Sequence, residues 1–477
     1  MVSIPSWVIA LVVIVHVLGF VNSLVALLQT RTAQGTLAWL IALNALPWVA
    51  LPAWWIFGRR RFEGYVSARR GEDRELSAVA AKAAERARAF RTTIDVGRGD
   101  LDALEKLAKT PILGSNAVEI LVDGEETYES MFQGMERARK TLLVLFYTVR
   151  DDEVGRRLQE ILIRKASEGV MVRFLFDGAG SYHLPESWMN TLEEAGVKTA
   201  GFRLGRGVRL RSQLNFRNHR KIVVVDGREG WVGGLNIGEE YLGRDPDIGA
   251  WRDTHLHLVG PAALGLQLVF VEDWHWATAD VLPLDWTPEE APDGSDVAAV
   301  MVASGPADPV ETASLLIQHV IHAAERRLWM ASPYLVPDEG VAAALVLARL
   351  RGVDVRLLVP ERTDIFLVHL AAFSYFGPLL DADVRIFRYN AGFMHSKTFV
   401  MDDTVVGIGT LNLDNRSLRL NFEITAVLVD ESAAARMEEI FEADFERSTE
   451  FTTDDLEGLP LSTQLGSRAA RLLAPVL

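Results

Sequence analysis

The sequence predicts an α/β protein in which two successive sets of strands and helices follow a two-helix transmembrane anchor. Three observations predict it. The first sixty residues hold two long uncharged apolar runs. From about Pro111 the chain alternates short apolar, β-branched stretches with segments of helical periodicity. A chemical motif in the first set returns in the second at a constant spacing.

The anchor comes first. Ile4 to Leu28 contains no Asp, Glu, Lys or Arg, and as a helix with a rise of ~1.5 Å per residue it spans a hydrocarbon core of ~30 Å. After a break at Arg31 and Gly35, Thr36 to Phe57 forms a second uncharged run. Pro47 and Pro52 are tolerated in a membrane helix whose neighbours satisfy the freed carbonyls. Trp39, Trp48, Trp54 and Trp55 suit the interfacial aromatic belts. A cleaved signal peptide would need a basic start, yet no Lys or Arg precedes Arg31. A core hairpin would carry charge on its outer face. Arg59, Arg60 and Arg61 follow the second run, so the positive-inside rule sets the rest of the chain in the cytoplasm.

Composition narrows the function. The formal net charge is -15, which opposes nucleic-acid binding by phosphate neutralisation. With no cysteine in the chain, disulfides, thiolate nucleophiles and Cys-ligated metals are excluded, as suits a reducing compartment.

Residues 61–110 are rich in Ala, Glu and Arg and read as a charged helical connector, a solvated spacer. In the first α/β set, residues 111–285, strands are expected at Val118–Val122, Thr141–Tyr147 and Val170–Phe176, with helices at Glu125–Lys140 and Asp152–Glu168. A Pro- and acid-rich linker, 286–297, leads to the second set, 298–477. There helices are expected at Val310–Arg326 and Glu339–Arg351, and strands at Arg327–Ser332 and Val353–Val359.

The repeat carries the chemistry. His219, Lys221 and Asp226 are followed by Gly233 and Asn236; His395, Lys397 and Asp402 are followed by Gly409 and Asn412. Each member of the second set lies 176 positions after its counterpart. One such motif arises by chance, but two with matching internal spacing do not. The residues after each His favour a strand, so each motif is expected on one, with His and Lys projecting together. Asp226 and Asp402, seven positions after their histidines, then face away and brace the strand or a loop. A different carboxylate must orient each imidazole, and Asp253 and Glu423 are the candidates. His16 in the first run reads as a packing residue, and no metal-ligating constellation surrounds the other histidines.

These paired motifs resemble the phospholipase D superfamily, and more closely its bacterial cardiolipin synthases. The similarity extends to Val122-Asp-Gly124, Ser332-Pro-Tyr334, Leu413-Asp-Asn-Arg-Ser417 and the tail from Arg471. Met394, Ser396 and Asn415 depart mildly from the usual pattern. The resemblance implies two tandem phospholipase D-like domains sharing one active site, a phosphatidyltransferase needing no metal or cofactor, and an inner-membrane protein acting on phosphatidylglycerol. It further implies His219, Lys221, Asp226, His395, Lys397 and Asp402 as the catalytic set.

A neutral imidazole can attack phosphorus and a protonated one can donate to the leaving alcohol, so two histidines can divide the roles. Lys221 and Lys397 would hold the phosphoryl oxygens, with Asn236 and Asn412 adding hydrogen bonds. His219 is favoured as nucleophile, although sequence alone does not decide between the two. Phe202 to Val225 holds Arg203, Arg206, Arg209, Arg211, Arg217, Arg220 and Lys221 with no acid. Arg206 and Arg209 there are expected to meet anionic headgroups. The alternatives are a hydrolytic phospholipase D, a transferase using phosphatidylethanolamine, a nuclease, and a non-catalytic lipid scaffold.

Overall fold

A computed structural model describes residues 5–29, 33–58, 74–92, 102–202, 216–246 and 248–476. Arg59, Arg60, Arg61, Arg203, Arg206, Arg209 and Arg211 lie outside them.

The N-terminal unit begins with the helix Ser6–Gln29, apolar on nearly every face, with a mean hydropathy of 2.6 over Ser6–Leu28. The second run is not one helix. It forms Ala33–Ala45, then Pro47–Ala53, then a π-helical turn at Trp54–Gly58. Pro47 has no N–H to continue the first segment and instead starts the next one. Among the described residues, Ser6–Leu28 is the one stretch long and apolar enough to cross a membrane by itself. Close packing ties the unit together: the Asn44 amide donates to Ser23 Oγ at 2.7 Å. A Cβ on Gly19 would lie 2.2 Å from the Leu43 carbonyl oxygen.

Among the described residues, the body carries twenty strands. The first half contains β1 (Leu113–Val122), β2 (Thr141–Phe146), β3 (Met171–Asp177), β4 (Lys198–Phe202), β5 (Arg217–Asn218), β6 (Ile222–Val225), β7 (Glu229–Gly233), β8 (Trp251–Arg252) and β9 (Thr254–Val259). The second contains β10 (Val297–Ser304), β11 (Arg327–Ala331), β12 (Leu335–Val336), β13 (Asp354–Pro360), β14 (Arg385–Tyr389), β15 (Phe393–Met394), β16 (Thr398–Met401), β17 (Val405–Gly409), β18 (Leu413–Asp414), β19 (Asn421–Val429) and β20 (Ser448–Phe451).

One mixed sheet runs through both halves, and its strand order states the repeat. From the centre outward the first half reads β1-β9-β7-β6-β2-β3-β4, and the second reads β10-β19-β17-β16-β11-β13-β14, extended by β20. The halves meet where β1 pairs antiparallel with β10, Leu113 opposite Ala299. Strands such as β6 (IVVV) are buried throughout, as expected of sheet covered on both faces. The expected helices appear at Asp123–Arg137, Glu153–Ser167, Thr312–Ala323 and Glu339–Leu350. Asp152 and Asp338 cap two of them, accepting from Gly155 N and Val341 N.

The connector expected to be solvated is packed, and so is the linker. In the connector, Ala83, Ala87 and Leu104 are buried, because its helices (Arg74–Ala87 and Asp102–Ala108) have an apolar stripe that composition conceals. In the linker Trp286 and Ala291 are buried. Asp296 accepts from Ser115 N and Ala291 N donates to Ser115 O, so the segment is strapped to β1.

Candidate active site

The two motifs sit just ahead of strands rather than on them. His219 and Lys221 precede β6, and His395 and Lys397 precede β16. Each histidine is anchored by the opposite half of the protein. Residues of β5 pair in parallel with the start of β19, and His219 N donates to Phe422 O at 2.9 Å. Correspondingly, β8 pairs in parallel with β15, and His395 N donates to Arg252 O at 2.7 Å. The residue after each accepting carbonyl is a candidate carboxylate.

The imidazole contacts are therefore crossed. Glu423 accepts from His219 Nδ1 at 2.9 Å, and Asp253 accepts from His395 Nδ1 at 2.9 Å. Both carboxylates are fully buried. With each Nδ1–H given to a carboxylate, Nε2 is the ring nitrogen left for chemistry. The repeat position after the first motif glycine serves these acids in two ways. Gly234 admits the Asp253 carboxylate, which a Cβ would meet at 2.0 Å. Its counterpart Thr410 donates a hydroxyl hydrogen bond to Glu423. Tyr147 stands edge-on to His219 and Trp251 is tilted against His395, with ring centroids 5.1 and 5.0 Å away.

Electrostatics follow from burial. Desolvation lowers the pKa of His219, against the opposing pull of Glu423. Desolvation and then Lys397 push His395 down to about 3, against Asp253. Both imidazoles are thus neutral in the empty site at pH 7. Burial likewise lowers Lys221 to about 7 and Lys397 to about 8, with Glu423 and Asp253 respectively opposing. Burial would raise the two carboxylates, but for Glu423 the charge and hydrogen bond of His219 outweigh it, and for Asp253 the hydrogen bond of His395 and the charge of Lys397 do so.

Both histidines line one cavity of about 860 Å3. Its wall mixes arginines (Arg150, Arg217, Arg362 and Arg416) with carboxylates (Glu240, Glu361, Asp364 and Asp414), while Ile248, Ile365 and Val368 give it apolar patches. Lys221 Nζ donates to His219 O at 2.7 Å, and Lys397 Nζ donates to His395 O. Each ammonium retains further donors beyond that bond.

The asparagines divide. Asn236 lines the cavity but is held at both ends, accepting from Thr148 N at 3.1 Å and donating to Tyr241 Oη at 2.9 Å. Its Oδ1 and one of its two Nδ2 hydrogens are thereby taken up by the wall. Asn412 also lines the cavity, and its buried Oδ1 has no partner.

Asp226 and Asp402 do not line the cavity. Asp226 accepts from the backbone N–H groups of Arg139, Lys140 and Thr141. Asp402 does the same for Glu325, Arg326 and Arg327. Both adopt positive φ, 53° and 52°, a region where Asp and Asn are the tolerated side chains after Gly. They tie the turn after each motif strand to the start of β2 or β11.

Sequence reasoning missed the buried cations that fasten the two halves. Arg220, between the motif His and Lys, pairs with Asp273 at 2.7 Å and donates to Glu423 O and Ser304 O. Arg252 pairs with Asp444 at 2.8 Å. The signal for Arg220 was its place inside the motif, where its side chain alternates away from those of His219 and Lys221.

A family model described as cardiolipin synthase, phospholipase D-like domain, matches residues 131–256 and 317–445. Cardiolipin synthase A of Pseudomonas aeruginosa is 47% identical over 472 residues, covering 98% of this chain and 96% of the relative. The protein of that name from Pseudomonas entomophila is 44% identical over 470 residues, covering 98% of both chains. In fold, the chain is similar to a phosphatidylserine synthase of Haemophilus influenzae, with a TM-score of 0.60, 16% identity, and coverage of 79% of this chain and 99% of that one.

Proposed function

This chain belongs to the cardiolipin synthase family of phospholipase D-like phosphatidyltransferases, and from that premise we propose that it joins two phosphatidylglycerol molecules into cardiolipin and glycerol. Residues 111–285 and 298–477 form the two phospholipase D-like domains of this reading. The observation that carries it is the crossed pairing of two histidines with two buried carboxylates around one cavity. One imidazole can then act as nucleophile while the other handles protons.

His219 Nε2 attacks the phosphorus of the first lipid, and the bond from phosphorus to the glycerol oxygen breaks. His395 delivers a proton to that oxygen, and glycerol leaves. A hydroxyl of the second phosphatidylglycerol then gives its proton to His395, and its oxygen attacks phosphorus. The N–P bond breaks, releasing cardiolipin and restoring His219. His395 takes the proton it needs at the outset from water, and the substrate's charge favours that uptake. A phosphodiester anion ~4 Å away favours imidazolium by about 4 kcal/mol at an effective dielectric constant of ~20. Lys221 and Lys397 bind the phosphoryl group, offsetting its charge as the transition state forms, while Asn412 can meet it only through Nδ2, since its unpartnered Oδ1 is an acceptor. Arg206 and Arg209 guide the anionic headgroups, and Asp226 and Asp402 position the motif strands.

The helix Ser6–Gln29 crosses the bacterial inner membrane in this reading, and residues 33–58 complete a hairpin. The arginines at 59–61 hold the body on the cytoplasmic side.

The test is product analysis. Purified protein in phosphatidylglycerol vesicles should release cardiolipin and free glycerol by mass spectrometry, and His219→Ala and His395→Ala should each abolish both. Phosphatidic acid without cardiolipin would make the chain a hydrolase. Released ethanolamine in mixed vesicles would instead identify phosphatidylethanolamine as donor.

A further inference from the structure

The α-helix Leu461–Arg471, near the C-terminal end, has two unlike faces. Its inner face packs on the apolar helix Phe366–Leu380. A Cβ on Gly466 would lie 2.9 Å from the Leu370 side chain. Ala470 and Ala474 share a core with Val368 and Ala371, and the Arg471 guanidinium lies 5.2 Å from the Tyr375 ring centroid. Leu370 opposite Gly466 and Tyr375 opposite Arg471 mean that the helices run in the same direction. Phe366 therefore lies at the same end as Leu461 and Leu465.

The outer face is apolar and uncovered. Leu461, Leu465 and Leu472 are 69%, 59% and 81% exposed, and Phe366 is 75% exposed. Ile365 and Leu473 are exposed too. Among the described residues from Arg74 onward, half of the exposed large apolar side chains belong to this helix pair and its ends. Isolated exposed leucines need no explanation, but a contiguous apolar face marks an interaction site. Ile365 and Val368 line the catalytic cavity, so the face continues to its mouth.

Charge indicates what covers it. In a chain of net charge -15, no Asp or Glu follows Glu457, whereas Arg468 and Arg471 flank the leucine stripe. Phe366–Leu380 has 15 residues, ~22 Å at 1.5 Å per residue, too short for a ~30 Å core. An apolar stripe edged by arginines on helices too short to span is the pattern of an element lying in the headgroup–acyl boundary.

We propose that Leu461, Leu465, Leu472 and Phe366 dip into an anionic phospholipid leaflet and seat the cavity mouth on it. A lipid headgroup can then enter while its acyl chains stay in the bilayer. This rests on the lipid-transfer reading above.

The absence of cysteine from the chain permits a clean test. Leu465→Cys and Leu472→Cys, made separately in the full chain, are labelled with an environment-sensitive fluorophore. The chain is reconstituted in phosphatidylglycerol-containing vesicles. Emission should shift to the blue and be quenched by nitroxide-bearing lipids. In Leu465→Glu/Leu472→Glu, the ratio of vesicle-lipid turnover to turnover of dispersed short-chain phosphatidylglycerol should fall at least ~10-fold, since two leucines no longer leave water. The ratio is independent of the amount of folded enzyme. An unchanged ratio, or labels quenched by aqueous iodide equally with and without vesicles, would overturn the proposal. So would labels already shielded in detergent in a concentration-dependent way, which would assign the face to a second copy. Absence of product from the wild-type chain with either lipid would count against the transfer reading itself.

Discussion

Replacing Glu423 by Gln tests the crossed architecture most directly. The substitution keeps a hydrogen-bond acceptor 2.9 Å from His219 Nδ1 but removes the charge that stabilises this ring as it becomes cationic on forming the N–P bond. Charge centres ~4 Å apart at an effective dielectric constant of ~20 interact by about 4 kcal/mol. At 1.36 kcal/mol per factor of ten, that is up to ~10³-fold in rate, and the retained hydrogen bond brings the expected loss to ~10²–10³-fold. Asp253→Asn should give a comparable loss through His395. The two then separate by leaving group. A p-nitrophenyl phosphodiester departs without a proton, so it should rescue Asp253→Asn by at least ~10-fold and leave Glu423→Gln slow. The assay is release of nitrophenolate beside cardiolipin formation from vesicles. A loss below threefold in Glu423→Gln would refute the argument that its charge acts on the reacting imidazole. Rescue of Glu423→Gln in place of Asp253→Asn would reverse the nucleophile and acid.

Four further outcomes are expected. Burial lowers Lys221 to about 7 and Lys397 to about 8, so the empty site loses its cations as pH rises through that range. A pH profile of kcat/KM should therefore fall above pH ~8, approaching tenfold per pH unit for each proton lost. The same lysines bind protons in the unfolded chain up to ~10.4, so they make stability rise with pH between about 7 and 10, a slope that Lys221→Met should flatten in thermal unfolding. Asp226→Ala leaves three backbone amides unpaired and puts alanine at φ 53°; a loss of ~1–3 kcal/mol is expected by denaturant titration, with kcat per folded enzyme nearly unchanged. Arg220→Met removes the guanidinium paired with the buried Asp273 carboxylate, so a loss of ~3–5 kcal/mol should appear as a lowered Tm.

Much of the chemistry was legible because motif spacing and the alternation of strands and helices along the chain are both local properties. A constant offset between His219 and His395 can be read without knowing where either lies in space. The first apolar span needs only length and the absence of charge. Segment 33–58 shows the limit of that reading, since composition permitted one helix but Pro47 divides it. The connector shows a related limit. Its charge density suggested solvent, whereas Ala83 and Leu104 within it are buried.

What the sequence determined by itself was the pair of histidine–lysine motifs, the α/β class and the two carboxylates worth considering. Only the tertiary structure decided which acid serves which ring. Parallel pairing of β5 with β19 and of β8 with β15 brings residues some 140 to 200 positions apart to within a hydrogen bond. Hydrogen bonding at 2.9 Å is set by the packing of two halves against each other, and no pattern along one strand encodes the choice between halves. The same holds for Asn236 and Asn412. They occupy equivalent positions in the repeat, yet Thr148 and Tyr241 hold both ends of the first, whereas Oδ1 of the second has no partner.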